Sequence, residues 1–454
     1  MAKTVRDPKI AIIGAGLGGI TLAIGLLNQP GIDPSSIHLY EAAQQFSEIG
    51  AGVASGPNAI RALRLTSAKI AEAYAKCVTH NADLELMSTW LGLRWGMPSR
   101  DGKNKAEGLM ANIKYEPTPQ TQNEELIPGK PVLARSCVHR AAFLDELVKL
   151  IPDGMCTFNK TLVGISDKPS EGPVILTFAD GTTADADIVV ACDGIKSRAR
   201  IEIFGSEKGA SSFTGQYAYR SLIPMQHAID TLGAELAQNG QIYCGYRGYV
   251  ITYPVEHGKL MNLVAIKQTK RLWPSDEPWV APATREDMLK DFEGWSDRLL
   301  AMIKTIERPE KWALFDVQGL ERFWKGRVCL MGDSAHSSTP HHGAGSGMAF
   351  EDAYVLSNLL GHYARSTSEG EGLDIEKIFF AYDAVRRERS QTLVGLSRDT
   401  GRLIEFEVDN VSDRQDAIVK LIQERYNWIW HWDLSGSLAK AMDIVRGSPS
   451  SEIM

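Results

Sequence analysis

A chain of 454 residues with 44% hydrophobic and 23% charged side chains has the composition of an ordinary soluble protein, long enough for two or three domains with sizeable cores. Its formal charge of −7, with no dense Lys/Arg stripe interleaved with aromatics, argues against a nucleic-acid partner. The six cysteines are dispersed with no C-x-x-C pair, which argues against a disulfide framework and fits a reducing compartment. No apolar run approaches the ~18–20 residues that span a bilayer. The chain enters its first strand soon after Pro8, with no room for a removable signal, and the terminal residues 451–454 are not a peroxisomal address. A cytoplasmic protein without stable membrane insertion is expected.

In chain order, residues 9–20 come first. An apolar run of strand length meets Gly14, Gly16 and Gly19 in G-x-G-x-x-G spacing, and a helix-compatible apolar segment follows to Leu27. Gly14 lets the chain turn, Gly16 lets the backbone approach a pyrophosphate, and Gly19 lets helix and strand pack closely. A second strand at 37–40 delivers Glu41, placed to accept hydrogen bonds from an adenosine ribose. The reading is a dinucleotide site. Small residues at 46–58, Gly52 and Ala54 among them, let strands cross closely or let a flat ligand lie on the backbone. From 90 to 129 the chain turns polar and irregular and reads as an excursion, either a cover over a site or a plain surface insertion.

Order returns at 132–136 and in a helix over 140–150. Arg140 sits in the first turn of that helix, where a cation needs an anion or a carbonyl to face. A hairpin at 174–186 leads into a buried strand that stops at Asp193-Gly194 and opens a helix, repeating the opening arrangement. Residues 203–322 are β-rich, with helical periodicity at 285–306 and no phosphate loop, and read as a substrate domain inserted into the cofactor domain. Another buried strand ends at Gly332-Asp333 and leads through a Gly-rich loop into a helix near Ala349. The first cofactor strand is expected beside it. Asp333 then accepts a hydrogen bond from a sugar-alcohol hydroxyl, and the amides of 343–347 face a flat anionic ring. The cluster His336, His341 and His342 lacks a familiar ligand spacing, so no metal is expected.

The fold class is therefore α/β. A Rossmann-like domain spans 1–202 and 323–400, a β-sheet domain is inserted at 203–322, and 401–454 form a C-terminal helical segment. Arg220 lies in an apolar and aromatic strand, where its own pattern leaves a sheet-surface ion pair and a substrate contact equally open.

The Gly14/Gly16/Gly19 fingerprint with Glu41, the Asp193-Gly194 motif, and Gly332-Asp333 with its loop to Gly347 together resemble the single-component FAD-dependent aromatic monooxygenases of the salicylate hydroxylase type. The likeness runs over nearly the whole chain. It is strongest to fungal members that oxidatively dearomatise polyketide phenols, through residues 140–144, 218–223, 253–255 and 430–433. It implies FAD as cofactor, with Glu41 on the adenosine ribose, the Gly52–Ala54 region and Arg140 as further contacts, Asp333 on the ribityl chain, and the Gly345-Ser346 backbone against the flavin. Ser334 and Ser346 stand where relatives often have Ala, which implies altered hydrogen bonding without loss of FAD. No second G-x-G-x-x-G appears, so NADPH or NADH is expected to bind transiently and reduce the flavin before O2 reacts. The resemblance also implies that Arg220 and Tyr253 hold a small substrate as its phenolate. The substrate is then an alkylated resorcyl aldehyde or ketone hydroxylated with dearomatisation, the alternatives being an aromatic acid giving a catechol, or a non-catalytic FAD protein. Monomer and homodimer are both open.

Overall fold

The structure, a computed structural model, describes residues 7–46, 52–127, 129, 133–274, 278–370 and 372–447. The expectations made for 1–6, 47–51, 132 and 451–454 lie outside the described residues.

Strands Ile10–Ile13 and Ile188–Ala191 are buried along their whole length, as unbroken apolar runs require when helices cover both faces of a parallel sheet. They form the centre of a six-stranded sheet in the order Trp324–Lys325, Val328–Leu330, Ile188–Ala191, Ile10–Ile13, Ile37–Tyr40 and Cys156–Thr157. Neighbours are parallel except at the Trp324–Lys325 edge. This corrects the expected neighbours. The strand before Gly14 and the strand before Gly332 are separated by Ile188–Ala191, which pairs with both. Its apolar residues take the most protected place, and the Asp193-Gly194 turn is set between the other two turns.

Helices Leu17–Leu27 and Gly345–Ser368 pack on one another beside this sheet. Their approach depends on Gly25, where a Cβ would lie 2.8 Å from Ser357 Oγ. The second helix begins at Gly345, four residues before the expected start near Ala349, because Gly343 at φ +61° ends the preceding turn.

The second layer is an eight-stranded sheet, ordered Val280–Pro282, Glu310–Asp316, Ser212–Pro224, Leu260–Gln268, Gly248–Val255, Gln241–Gly245, Thr89–Trp95 and Leu109–Lys114. Its last two strands correct the reading of 90–129 as an excursion. Trp90, Leu91, Leu93 and Trp95 are buried, and the segment completes the sheet by pairing Leu93 with Ile242. The loops between these strands carry the polar residues that obscured them. The helical pattern at 285–306 resolves into Arg285–Asp291 and Asp297–Lys304, interrupted at Gly294 with φ +83°. Helix Ile375–Ile404 runs through the boundary expected at 400/401, and Gln415–Trp430 and Leu434–Arg446 follow it.

A small sheet of Gly52–Ser55, Ser136–His139 and Val78–Thr79 bridges the two larger ones at the rim of the cleft. All six cysteines are unpaired. Among the described residues, no helix is long and apolar enough to cross a membrane.

Candidate active site

A cavity of about 350 Å³ opens between the two large sheets. On the parallel-sheet side it is lined by Gly16, Gly18, Cys192, Gly194, Gly332 and Asp333. Facing them are Trp90, Tyr249, Ile251, Tyr253, Val264 and Ile266, with Gly52, Ala54, Arg135 and Arg140 at the rim.

The glycine turn is built so that only glycine fits. Gly14 has φ +96°, and a Cβ there would lie 2.5 Å from the Cys192 carbonyl oxygen, while a Cβ at Gly19 would run into Gly14 O. The Glu41 carboxylate accepts hydrogen bonds from the backbone N–H of Ala15 at 2.7 Å and of Ala43 at 2.8 Å. It therefore sits on the turn at the helix entrance, with further acceptor capacity on each oxygen.

Asp193 accepts from Ala199 N–H at 3.0 Å through Oδ2, and its buried Oδ1 has no partner. Burial raises the pKa of this carboxyl, against the hydrogen bonds that lower it. Its neighbours Cys192 and Gly194 line the cavity, whereas Asp193 itself does not. Asp333, the first residue of helix Asp333–His336, is exposed and lines the cavity.

Helix Gly345–Ser368 has no side-chain cap at Ala344, and Gly345 and Ser346 line the cavity. Its first-turn amides are free to face an anionic ring. The turn before it is fixed from behind. Asp352, on the same helix, accepts from Gly332 N–H at 3.1 Å, pairs with His336 at 2.5 Å and accepts from Arg386 Nε at 2.8 Å. Glu351 accepts from Asn58 at 2.8 Å and binds both Arg386 and Arg389. Sequence reasoning did not single out this buried network, whose partners lie on different helices.

The three histidines diverge. His336 meets Asp352, His341 bridges Tyr249 at 2.8 Å and Gln216 at 2.9 Å, and His342 meets Thr400 at 2.9 Å. Burial pushes His341 and His342 down to about 3, so both are neutral. Among the described residues, no three His, Cys, Asp or Glu side chains gather as a metal site.

Tyr253 and Arg220 occupy the eight-stranded sheet. Tyr253 is 7% exposed, lines the cavity, and donates its hydroxyl to Gly52 O at 3.1 Å. Arg220 is opposite Val264, which is opposite Ile251, so by strand pairing Arg220 shares the face that lines the cavity. Its guanidinium lies 5.1 Å from the Trp312 ring centroid, and among the described residues it forms no carboxylate pair. Burial lowers its pKa, and the nearby Tyr253 opposes that shift. Arg135 was not singled out by sequence reasoning. It is 3% exposed, lines the cavity, and lies between the Trp90 ring at 4.9 Å and the Tyr253 ring at 4.4 Å.

The FAD binding domain family matches residues 153–397. The 6-methylsalicylate 1-monooxygenase atA of Aspergillus terreus is 38% identical, over 96% of this chain and 92% of that protein. The salicylate hydroxylase of Pseudomonas putida is 33% identical, over 95% and 94% respectively. A solved salicylate hydroxylase substrate complex superposes with a TM-score of 0.78 and 31% identity, covering 96% of this chain and 98% of that one.

Proposed function

Because this chain belongs to the FAD-dependent monooxygenases related to salicylate hydroxylase, we propose that it hydroxylates a small phenol, held as phenolate by Arg220 and Tyr253, at the ring carbon ortho to the oxygen. The observation that carries this reading is Arg220 itself. It is a cation with no carboxylate partner among the described residues, on the same sheet face as the cavity-lining Ile251 and Val264, and it interacts electrostatically with Tyr253.

A phenol with the reference pKa of ~10 is ionised only about 1 part in 1,000 at pH 7, and an adjacent fixed cation lowers such a pKa by ~1–3 units. Arg220 thereby raises the phenolate share at pH 7 to between about 1% and about 50%. Phenolate is the electron-rich form, with density raised at the ortho carbons. Tyr253 would orient the oxygen by turning its hydroxyl proton from Gly52 O to the phenolate, and the apolar faces of Ile251, Val264 and Ile266 exclude water from the ring.

On the opposite wall, Gly14, Gly16, Gly19 and Glu41 would hold the adenosine end of FAD, Asp193 and Asp333 its sugar-alcohol hydroxyls, and the Gly345 and Ser346 amides its ring. Gly52, Ala54 and Arg140 would close the rim. Bound FAD, reduced by NADPH or NADH, supplies an electrophilic oxygen atom from O2.

The substituent at the attacked carbon decides the product. A hydrogen or a carboxylate leaves, as a proton or as CO2, and restores a catechol. An alkyl group cannot leave, so an alkylated resorcyl aldehyde or ketone becomes a hydroxylated cyclohexadienone, the dearomatised product expected from the sequence.

The test supplies the FAD-loaded protein with NADPH, labelled O2 and either 2-hydroxybenzoate or an alkylated resorcyl aldehyde. One labelled oxygen at the carbon ortho to the phenol is expected. NADPH oxidation that yields only hydrogen peroxide with every phenol would refute the reading.

A further inference from the structure

Asn262 lies in strand Leu260–Gln268 of the eight-stranded sheet, directly opposite Tyr253 on one neighbouring strand and Leu222 on the other. Opposite residues share a face, and so do residues two apart along a strand. Asn262 therefore faces the same way as Tyr253, Val264 and Ile251, which line the cavity, although it does not line the cavity itself. It is 1% exposed, between the apolar Leu260 and Val264 on that face of its own strand. Among the described residues, neither its Nδ2 nor its Oδ1 has a hydrogen-bond partner.

A buried amide without partners is unfavourable. The other buried asparagines avoid that cost. Asn58 donates to Glu351, Asn81 donates to the carbonyls of Leu86 and Thr89 and accepts from Gly240 N–H, and Asn239 donates to the Glu235 carbonyl and accepts from Asp83 N–H. Asn262 departs from the pattern beside the two polar residues of its sheet face, Tyr253 straight across and Arg220 on the diagonal, since Arg220 is opposite Val264. Burial raises the pKa of the Tyr253 hydroxyl, and Asn262 is among the groups that oppose the shift, with Arg135 and Arg220. The amide is thus within the influence of a hydroxyl whose proton is engaged elsewhere, on Gly52 O at 3.1 Å. A hydroxyl that turns its proton re-aims its lone pairs as well.

We infer that Asn262 is a positioning residue for Tyr253: when the substrate draws the Tyr253 proton away from Gly52 O, Asn262 donates from Nδ2 to Tyr253 Oη and holds the hydroxyl on the phenolate oxygen. This rests on the phenol-hydroxylating reading above and adds the residue that fixes its orienting hydroxyl. Asn262 acts through Tyr253 and does not touch the substrate. Its amide is unpartnered before the phenol binds and partnered afterwards, so the resting protein gives up stability that binding restores.

The experiment is calorimetric titration of the FAD-loaded protein with 2-hydroxybenzoate and with benzoate, which lacks the phenolic oxygen, alongside denaturant unfolding. The proteins are wild type, Asn262→Leu, Asn262→Ala, Tyr253→Phe and the double variant Tyr253→Phe with Asn262→Leu. Wild type is expected to bind 2-hydroxybenzoate more tightly than benzoate. Asn262→Leu loses about tenfold in affinity for 2-hydroxybenzoate, as for one hydrogen bond in a charge-assisted pair, and holds benzoate within about threefold. Asn262→Ala shows the same selective loss, whatever the space it leaves does to its stability. In the Tyr253→Phe background, Asn262→Leu changes the affinity by less than about twofold, because the residue it acts through has lost its hydroxyl. Asn262→Leu unfolds at a denaturant concentration equal to or above that of wild type, since it removes an unpartnered buried amide at similar volume.

Equal loss of both ligands, an undiminished effect of Asn262→Leu in the Tyr253→Phe background, or a wild type that binds 2-hydroxybenzoate no more tightly than benzoate would each overturn the inference. So would a lower unfolding midpoint in Asn262→Leu with both affinities unchanged, which would assign the amide to structure alone. The titration involves no turnover. A protein that shows the selective loss yet yields only hydrogen peroxide with every phenol fails the proposed function and leaves the coupling of Asn262 to Tyr253 standing.

Discussion

The Tyr253 hydroxyl donates to the Gly52 carbonyl at 3.1 Å, fastening the eight-stranded sheet to the small sheet at the cavity rim. Gly52 has no room for a side chain, since a Cβ would lie 2.6 Å from Val255 Cγ1. Burial pushes the Tyr253 hydroxyl up to about 12, so it keeps its proton through the neutral range. Tyr253→Phe leaves the carbonyl without this donor, at an expected cost of about 1 kcal/mol in denaturant unfolding. It should also raise KM for the phenol without introducing a new ionisation between about pH 6 and 10. An unchanged unfolding midpoint together with an unchanged KM would contradict both roles.

Retention of FAD depends on the turns. Gly19→Ala is expected to yield protein without flavin, because the added methyl meets Gly14 O inside the turn. Asp333→Ala should fold normally, since Asp333 is exposed, and should lose up to about tenfold in FAD affinity for one hydrogen bond to the cofactor. Flavin content after ultrafiltration distinguishes them. Full flavin in Gly19→Ala would contradict the fit of the cofactor to this turn.

Stability should respond to pH through Glu405. Burial lifts its carboxyl to about 8, against the hydrogen bond from Gln216 at 2.8 Å, and its Oε2 has no partner. Such a group binds its proton more tightly folded than unfolded. Its contribution is complete below the unfolded pKa of ~4.3 and is lost as pH rises through about 8. The Tm should therefore decline across that window, and Glu405→Gln should flatten the decline. A parallel decline in the variant would show that Glu405 is not its source.

Asp352 works in the opposite direction. Burial alone would raise its carboxyl, but His336 and Arg386 outweigh that and hold it at about 2. Its contribution is present above the unfolded pKa of ~3.9 and is lost as pH falls toward about 2. Asp352→Asn should be less stable than wild type at neutral pH, and the difference should shrink on acidification below about pH 4. A difference that stays constant across the acid range would contradict the ion-pair account.

The turns of this site were legible because their chemistry lies in local sequence. A strand, a Gly-rich turn and a helix are adjacent residues, and the clashes at Gly14 and Gly19 show why no other residue serves there. Strand neighbours were not legible, since Ile188–Ala191 and Val328–Leu330 are equally apolar and only packing decides which one meets Ile10–Ile13. Thr89–Trp95 was hidden by the polar loops that follow it. Arg135 was hidden for a different reason. What makes it informative is its place between the Trp90 and Tyr253 rings, and spacing along a chain does not show which rings meet in space. Glu351 and Asp352 were obscured likewise, because their arginine partners lie more than thirty residues away on another helix.

The most direct measurement of the central claim is the pH dependence of single-turnover hydroxylation in wild type and Arg220→Ala, with one phenol and FAD-loaded protein. With Arg220 present, the rising limb should lie about 1–3 pH units below the pKa of the free phenol, because the cation favours the ionised form. In Arg220→Ala the limb should move back to the free phenol's pKa, and activity lost near neutral pH should return as pH approaches about 10. Wild-type activity near neutral pH in Arg220→Ala, or one limb shared by both proteins, would contradict phenolate formation by Arg220.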